Sequence, residues 1–439
     1  MDAPGHSPIT HARVLKIAFP ILLANVTIPI LGAVDTGVVG QIPEAEPIAA
    51  VGVGAIVLTS VYWIFGFLRM GTAGLTAQAV GQRDRSEVAA LLTRSLMIGF
   101  VGGLALIALQ SLLFAAAFAL SPSGPVVEGL ARDYMQIRIW SAPAAIAIYG
   151  INGWLIAQER TRHVLILQLW MNGVNVGLDL LFVLGLGWGV SGVAIATFIA
   201  EWSGLLMGLF LCRAAFRVPD WRDWPRVFDR VRLKHMAVVN TDIMLRSLML
   251  QAIFTSFLLM GGQFGAVTLA ANQVLLQFLG IISYALDGFA FAAEALVGQA
   301  LGARASGQLR RAAVLTSGWG LACNVLFALG FALAGGWIID LMATDPEVRA
   351  MARQFLPWLV AAPVVGLAAW MLDGIFIGAT RTHDMRNMMA LSFLAYAASA
   401  YLLIPVMGNH GLWAALLISF VARGVTLGLR YPALERAAA

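Results

Sequence analysis

Twelve apolar runs, each long enough to cross a bilayer, govern what this chain can become. They fall near 14–40, 47–72, 88–118, 131–157, 163–185, 190–212, 236–260, 265–291, 309–336, 350–378, 386–406 and 410–430. A helix needs about 20 apolar residues to span the hydrocarbon core. Inside lipid, every backbone N–H and C=O must be paired within its own segment, so runs of this length form helices. Only 12% of the 439 residues are charged, against about 25% in a soluble domain. That excludes a soluble globule and predicts an all-α polytopic membrane protein. The net charge of +5 does not point to nucleic acid, because the basic residues lie in short loops between apolar runs, where they act as topology signals.

Those loop charges also orient the chain. With a cytoplasmic N-terminus, twenty Lys and Arg residues fall inside, and only Arg132, Arg349 and Arg353 fall outside. Cytoplasmic loops carry the excess of Lys and Arg, so both termini are expected in the cytoplasm. Residues 1–12 hold no Lys or Arg, and the first apolar run contains Pro20, Pro29 and Asp35. This is not the pattern of a cleaved signal peptide, and the first helix is expected to be retained. Cys212 and Cys323 lie in separate apolar runs without metal-ligand spacing, which reads as buried free thiols.

The two halves of the chain resemble each other. Thr76, Gln78, Gly81 and Arg83 align with Val297, Gln299, Gly302 and Arg304, at an offset of 221 residues. Gly153, Arg160 and Thr161 align with Gly374, Arg381 and Thr382 at the same offset. One offset shared by two distant stretches points to duplication. An even number of spans per half makes both halves enter the membrane in the same sense. The expectation is two six-helix lobes, 1–213 and 236–439, joined by a cytoplasmic linker at 214–235. Such repeats are related by a pseudo-twofold axis along the membrane normal.

Acids inside the apolar runs are the candidates for chemistry, because a charge at that depth costs a few kcal/mol and is retained for a reason. Asp35 lies in the outer part of the first run. Asn172, Asn175 and Asp179 are spaced to share one face of the fifth. At roughly 1.5 Å per residue, Asp35 and Asp179 lie at similar depth. Two carboxyls meeting in a low-dielectric site cannot both ionise cheaply, so one holds a proton near neutral pH. The same oxygens suit Na⁺. Pro20 and Pro29 weaken the backbone ladder of the first helix and permit a bend. Glu201 follows Thr197 by one turn in the sixth run. Arg69 and Arg138 either snorkel from helix ends or pair with these acids. In the second half, Asp242 and Arg246 are expected to pair at i, i+4, and Asp287 and Asp373 to form a second polar site. No phosphate-binding loop, zinc motif or nucleophile-base arrangement is present, so neither ATP use within this chain nor enzymatic chemistry is expected.

The stretch from Val34 through Asp35, Thr36 and Gly37 to Gly40, with Asn175 and Asp179, resembles the MATE (multidrug and toxic compound extrusion) transporters. The stretches from Asn240 to Arg246, from Tyr284 through Asp287, and from Asp373 to Arg381 are similar to the DinF-type branch of that family. The similarity runs through essentially the whole chain. It implies two lobes, alternating access, and antiport of organic, often amphipathic or cationic, compounds against H⁺ or Na⁺. It also implies Asp35 as the coupling acid. Tyr134, Asn175, Asp179 and Thr197 match its polar partners, Asn152 matches a further cavity residue, and Pro20 matches a bending point.

Asn172, Glu201, Arg246, Asp287 and Asp373 complete the candidate substrate cavity. The expected partners are small organic substrates and membrane lipid, with no nucleic acid, no metal and no cofactor beyond the coupling ion. A monomer in a bacterial inner membrane is expected. The alternative is a flippase for lipid-linked precursors, which needs cavity cations; Arg246, Arg69 and Arg138 are the ones identified for it. A passive channel would need no titrating acid.

Overall fold

The computed structural model describes residues 8–41, 45–120, 124–217 and 219–438, without the side chains of residues 29–33, 35, 36, 45 and 120. Among the described residues, twelve helices are long and apolar enough to cross a membrane. The first, α1, runs His11–Val39. It is followed by α2 Glu46–Gly81, α3 Arg85–Ala108, α4 Pro125–Ala157, α5 Thr161–Gly185 and α6 Gly189–Leu211. The second half holds α7 Arg230–Phe264, α8 Ala266–Gly302, α9 Ser306–Met342, α10 Pro346–Gly378, α11 Thr382–Met407 and α12 Asn409–Arg436. The expected all-α membrane architecture is what the chain forms. Several of these helices are apolar on their outer face as well: Leu333 of α9 is 88% exposed. In a membrane that face meets hydrocarbon, which removes the penalty it would carry in water.

The helices are not all regular. In α4 a 3₁₀ turn at Ile139–Ser141 joins two helical pieces, and Pro143 follows at the first turn of the second, where its missing N–H costs nothing. In α5 the six residues Leu180–Gly185, directly after Asp179, wind as a π-helix. Such insertions recur at functional positions. Helix α1 stays helical through Pro20.

Packing divides the chain into two compact units. One holds residues 1–22, 80–82 and 237–439; the other holds residues 23–79 and 83–236. The division falls within α1, two residues after Pro20. The core of the first unit is aromatic, built on Phe257, Phe278, Phe331, Trp413 and Phe420. Asn272 and Asn409 exchange amide hydrogen bonds there at 2.8 and 3.0 Å, and Trp413 donates to Asn272 at 2.9 Å. The core of the second gathers Tyr62, Phe114, Tyr134 and Met135. Residues of the 214–235 segment lie on α3. The buried Arg94 donates to the carbonyls of Val227 and Arg226 at 2.9 and 2.6 Å, and Thr93 donates to that of Trp221 at 2.9 Å.

The duplication is written into the backbone. Arg83, Glu159, Arg304 and Thr380 are the non-glycine residues with positive φ among the described residues, at 60°, 60°, 52° and 50°. They form two pairs, each 221 residues apart. Each closes a helix: Asp84 N–H reaches Ala79 C=O, as Ala305 N–H reaches Ala300 C=O. Arg160 N–H reaches Leu155 C=O, as Arg381 N–H reaches Phe376 C=O. These are left-handed helix caps, which normally take glycine. Close helix contact is repeated too. A Cβ on Gly153 would stand 2.2 Å from the carbonyl oxygen of Arg69, and one on Gly374 2.6 Å from that of Ala290. Both members of each contact are again 221 residues apart.

Candidate functional site

In the unit that holds most of the first half, polar side chains from α2, α4, α5 and α6 are buried together in pairs. Asp179 has no exposed surface, and Asn175 is 2% exposed. The Asn175 amide donates to Asp179 Oδ2 at 2.6 Å, so the face predicted by their spacing is real. Asn172, one turn earlier, donates to Thr27 Oγ1 of α1 at 2.8 Å and accepts from Gln168 at 2.9 Å.

A second group centres on Arg138 of α4. Its Nη2 meets Glu201 Oε1 of α6 at 2.9 Å, and its Nη1 donates to the Tyr134 hydroxyl at 3.0 Å. Tyr62 of α2 donates to the Arg138 carbonyl at 3.1 Å. Two opposite charges held this way pay less for leaving water than either would alone. Of the two readings of Arg138, pairing with an acid is therefore the correct one. Thr197 turns back on its own helix, donating to the Val193 carbonyl at 3.1 Å. Asn152 keeps its Oδ1 buried without a hydrogen-bond partner among the described residues. The side chains of Asp35 and Pro29 lie outside the described residues.

In the other unit the expected Asp242–Arg246 pair is replaced by two separate ones. Asp242 receives Arg386 of α11 at 2.6 Å and Thr382 at 3.2 Å. Arg246 pairs with Asp373 of α10. The i, i+4 spacing permits a pair on one helix, but packing brings Arg386 and Asp373 from neighbouring helices to these side chains instead. Arg423 of α12 also faces Asp373, at 3.6 Å. Asp287 is half-buried on α8 and Asp373 is 6% exposed. The second polar site is thus built around Asp373.

Tyr62, Thr27, Arg386 and Arg423 were not reached from sequence. For Arg423 a signal existed: an arginine between Val421, Ala422 and Gly424 is a charge inside an apolar run. It adds a fourth cation to Arg246, Arg69 and Arg138. The other three are ordinary in sequence and become notable only through their partners.

With this geometry in hand, similarity to known proteins is informative. The MatE family model matches residues 20–181 and 243–402. Over 415 residues the chain is 37% identical to DNA damage-inducible protein F of Escherichia coli, covering 94% of this chain and 90% of that one. It is 27% identical to a probable multidrug resistance protein NorM of Caulobacter vibrioides, over 94% of this chain and 90% of the other. The fold matches the crystal structure of the Vibrio cholerae MATE transporter VcmN in the bent form, with a TM-score of 0.87 at 20% identity over 98% and 97% of the two chains. It also matches a MOP superfamily transporter from Pyrococcus furiosus, with a TM-score of 0.86 at 17% identity over 98% and 96%. The chain therefore belongs to the MatE family of multidrug and toxic compound extrusion transporters, in its DinF-type branch, and is a membrane transporter rather than an enzyme.

Proposed function

We propose that the chain is a secondary active exporter, moving organic, often amphipathic or cationic compounds outward against inward H⁺ or Na⁺ by alternating access. The observation that carries this reading is Asp179: a carboxyl with no exposed surface, held by Asn175 on a membrane helix of a MatE chain. A carboxyl kept at that cost is best explained by a change of charge during the cycle. Asp35 and Asp179 would carry the coupling ion, with Asn175, Thr197 and Tyr134 as polar partners. Asn152, Asn172, Glu201, Arg246, Asp287 and Asp373 would serve the substrate cavity. Pro20 would be the hinge, because its missing N–H weakens the backbone ladder of α1. The cation asymmetry supports both termini in the cytoplasm, and the bacterial relatives support a bacterial inner membrane.

The test is dye efflux from proteoliposomes under an imposed proton gradient, then a sodium gradient, with the native chain and Asp35→Asn. Efflux driven by one gradient and lost in the variant supports the reading and identifies the ion. Efflux at the native rate in Asp35→Asn would end the coupling claim. If neither gradient drives any dye, flipping of a lipid-linked precursor becomes the reading to assay.

A further inference from the structure

Arg423 holds an arrangement that export against H⁺ or Na⁺ does not require. It is 2% exposed, in the unit that holds most of the second half. Its Nη1 faces Asp373 at 3.6 Å and the Met389 sulfur at 3.9 Å. Its Nε and Nη2 are buried and have no hydrogen-bond partner among the described residues. Those two N–H groups form one edge of the guanidinium, the fork that receives a carboxylate through two parallel hydrogen bonds. Arg246, on the other side of Asp373, has its Nε buried and unpartnered as well.

The charges do not balance. Two guanidinium groups share the single carboxylate of Asp373, leaving one positive charge in excess. A buried charge of this kind calls for a counter-charge. The side chains packed around the guanidinium are apolar and aromatic. The Phe420 ring lies 5.9 Å from the Arg423 guanidinium carbon, and Trp370 packs on that ring at 5.4 Å.

We propose that the free fork of Arg423, backed by Arg246, is a binding site for the carboxylate of an amphipathic organic anion, whose apolar body lies along Phe420 and Met389. As a substrate site this rests on the export reading; as a binding site it stands on the arginines alone. It gives the transporter a second recognition chemistry, opposite in sign to that of the Asp179 region.

Equilibrium binding to the purified full chain in lipid nanodiscs tests it, with naphthoate, naphthylmethylammonium, formate and chloride as probes. Naphthoate is expected to saturate a single site at least tenfold more tightly than the ammonium compound with the same ring. Formate, which carries the head group alone, should compete more weakly. Arg423→Gln should lower naphthoate affinity at least tenfold, and Arg423→Lys, which keeps the charge and loses the fork, should do so to a smaller extent. Infrared spectra of isotope-labelled naphthoate on the native chain provide a readout independent of how any variant folds: the carboxylate stretch should shift on binding. Equal affinity for both rings, no binding, or unchanged affinity in Arg423→Gln overturns the proposal. Chloride binding as tightly as naphthoate overturns the organic assignment in favour of an inorganic ion. Gradient-driven dye efflux without naphthoate binding sinks this site and leaves the export reading intact; naphthoate binding without any efflux does the reverse.

Discussion

Arg138 and Glu201 form a buried ion pair at 2.9 Å between α4 and α6. Neither side chain is more than 13% exposed, so each is the other's main compensation for lost hydration. Removing one partner leaves an unpaired buried charge, which costs about 3–5 kcal/mol. Glu201→Ala is therefore expected to lower the apparent melting temperature strongly. The double variant with Arg138→Met should recover most of the loss. A thermal unfolding series in detergent checks this; a double variant no better than the single one would count against the pair as a unit.

The repeated glycine contacts lead to a paired expectation. Gly153→Ala and Gly374→Ala each place a methyl group against a backbone carbonyl, at 2.2 and 2.6 Å. Backbone cannot move aside as a side chain can, so each should cost at least about 1–3 kcal/mol. Comparable losses of folded protein from both, by size-exclusion profile, are the expected result. Tolerance of either would show that its helix pair has slack.

The left-handed caps predict a gain. Arg304 sits at a φ of 52°, a conformation that crowds Cβ against the backbone. Arg304→Gly relieves that contact and should raise stability by about 0.5–1 kcal/mol after the entropy cost of glycine. Arg83→Gly should behave alike. The readout is again the melting temperature, and a fall in both would deny the strain.

Arg94 secures the 214–235 segment through the carbonyls of Arg226 and Val227 and through Glu87, which it meets at 2.6 Å. Glu87 also receives Arg232. Arg94→Ala should release the segment locally, so that trypsin cuts it at least about tenfold faster, equivalent to ~1.4 kcal/mol of easier opening. Unchanged cleavage would mean that other contacts hold the segment.

Much of this architecture was legible from the chain alone because lipid simplifies the problem. An apolar run of sufficient length has one way to satisfy its backbone, so twelve runs mean twelve helices. The repeat was equally plain: Arg83 with Arg304, and Arg160 with Arg381, stand at one offset, and the backbone follows it. The face of Asn175 and Asp179 came from helical spacing.

Pairing across helices was not legible. Asp242 and Arg246 stand one turn apart, yet Arg386 and Asp373 take them, because tertiary packing sets which neighbouring helix comes within reach. Glu201 found Arg138 for the same reason, 63 residues away. Helix number and repeat are read along the chain segment by segment, and the sequence by itself determined them. Which buried charge meets which, and that Arg423 shares Asp373 while its own fork stays open, depended on distances between segments, and only the tertiary structure decided those.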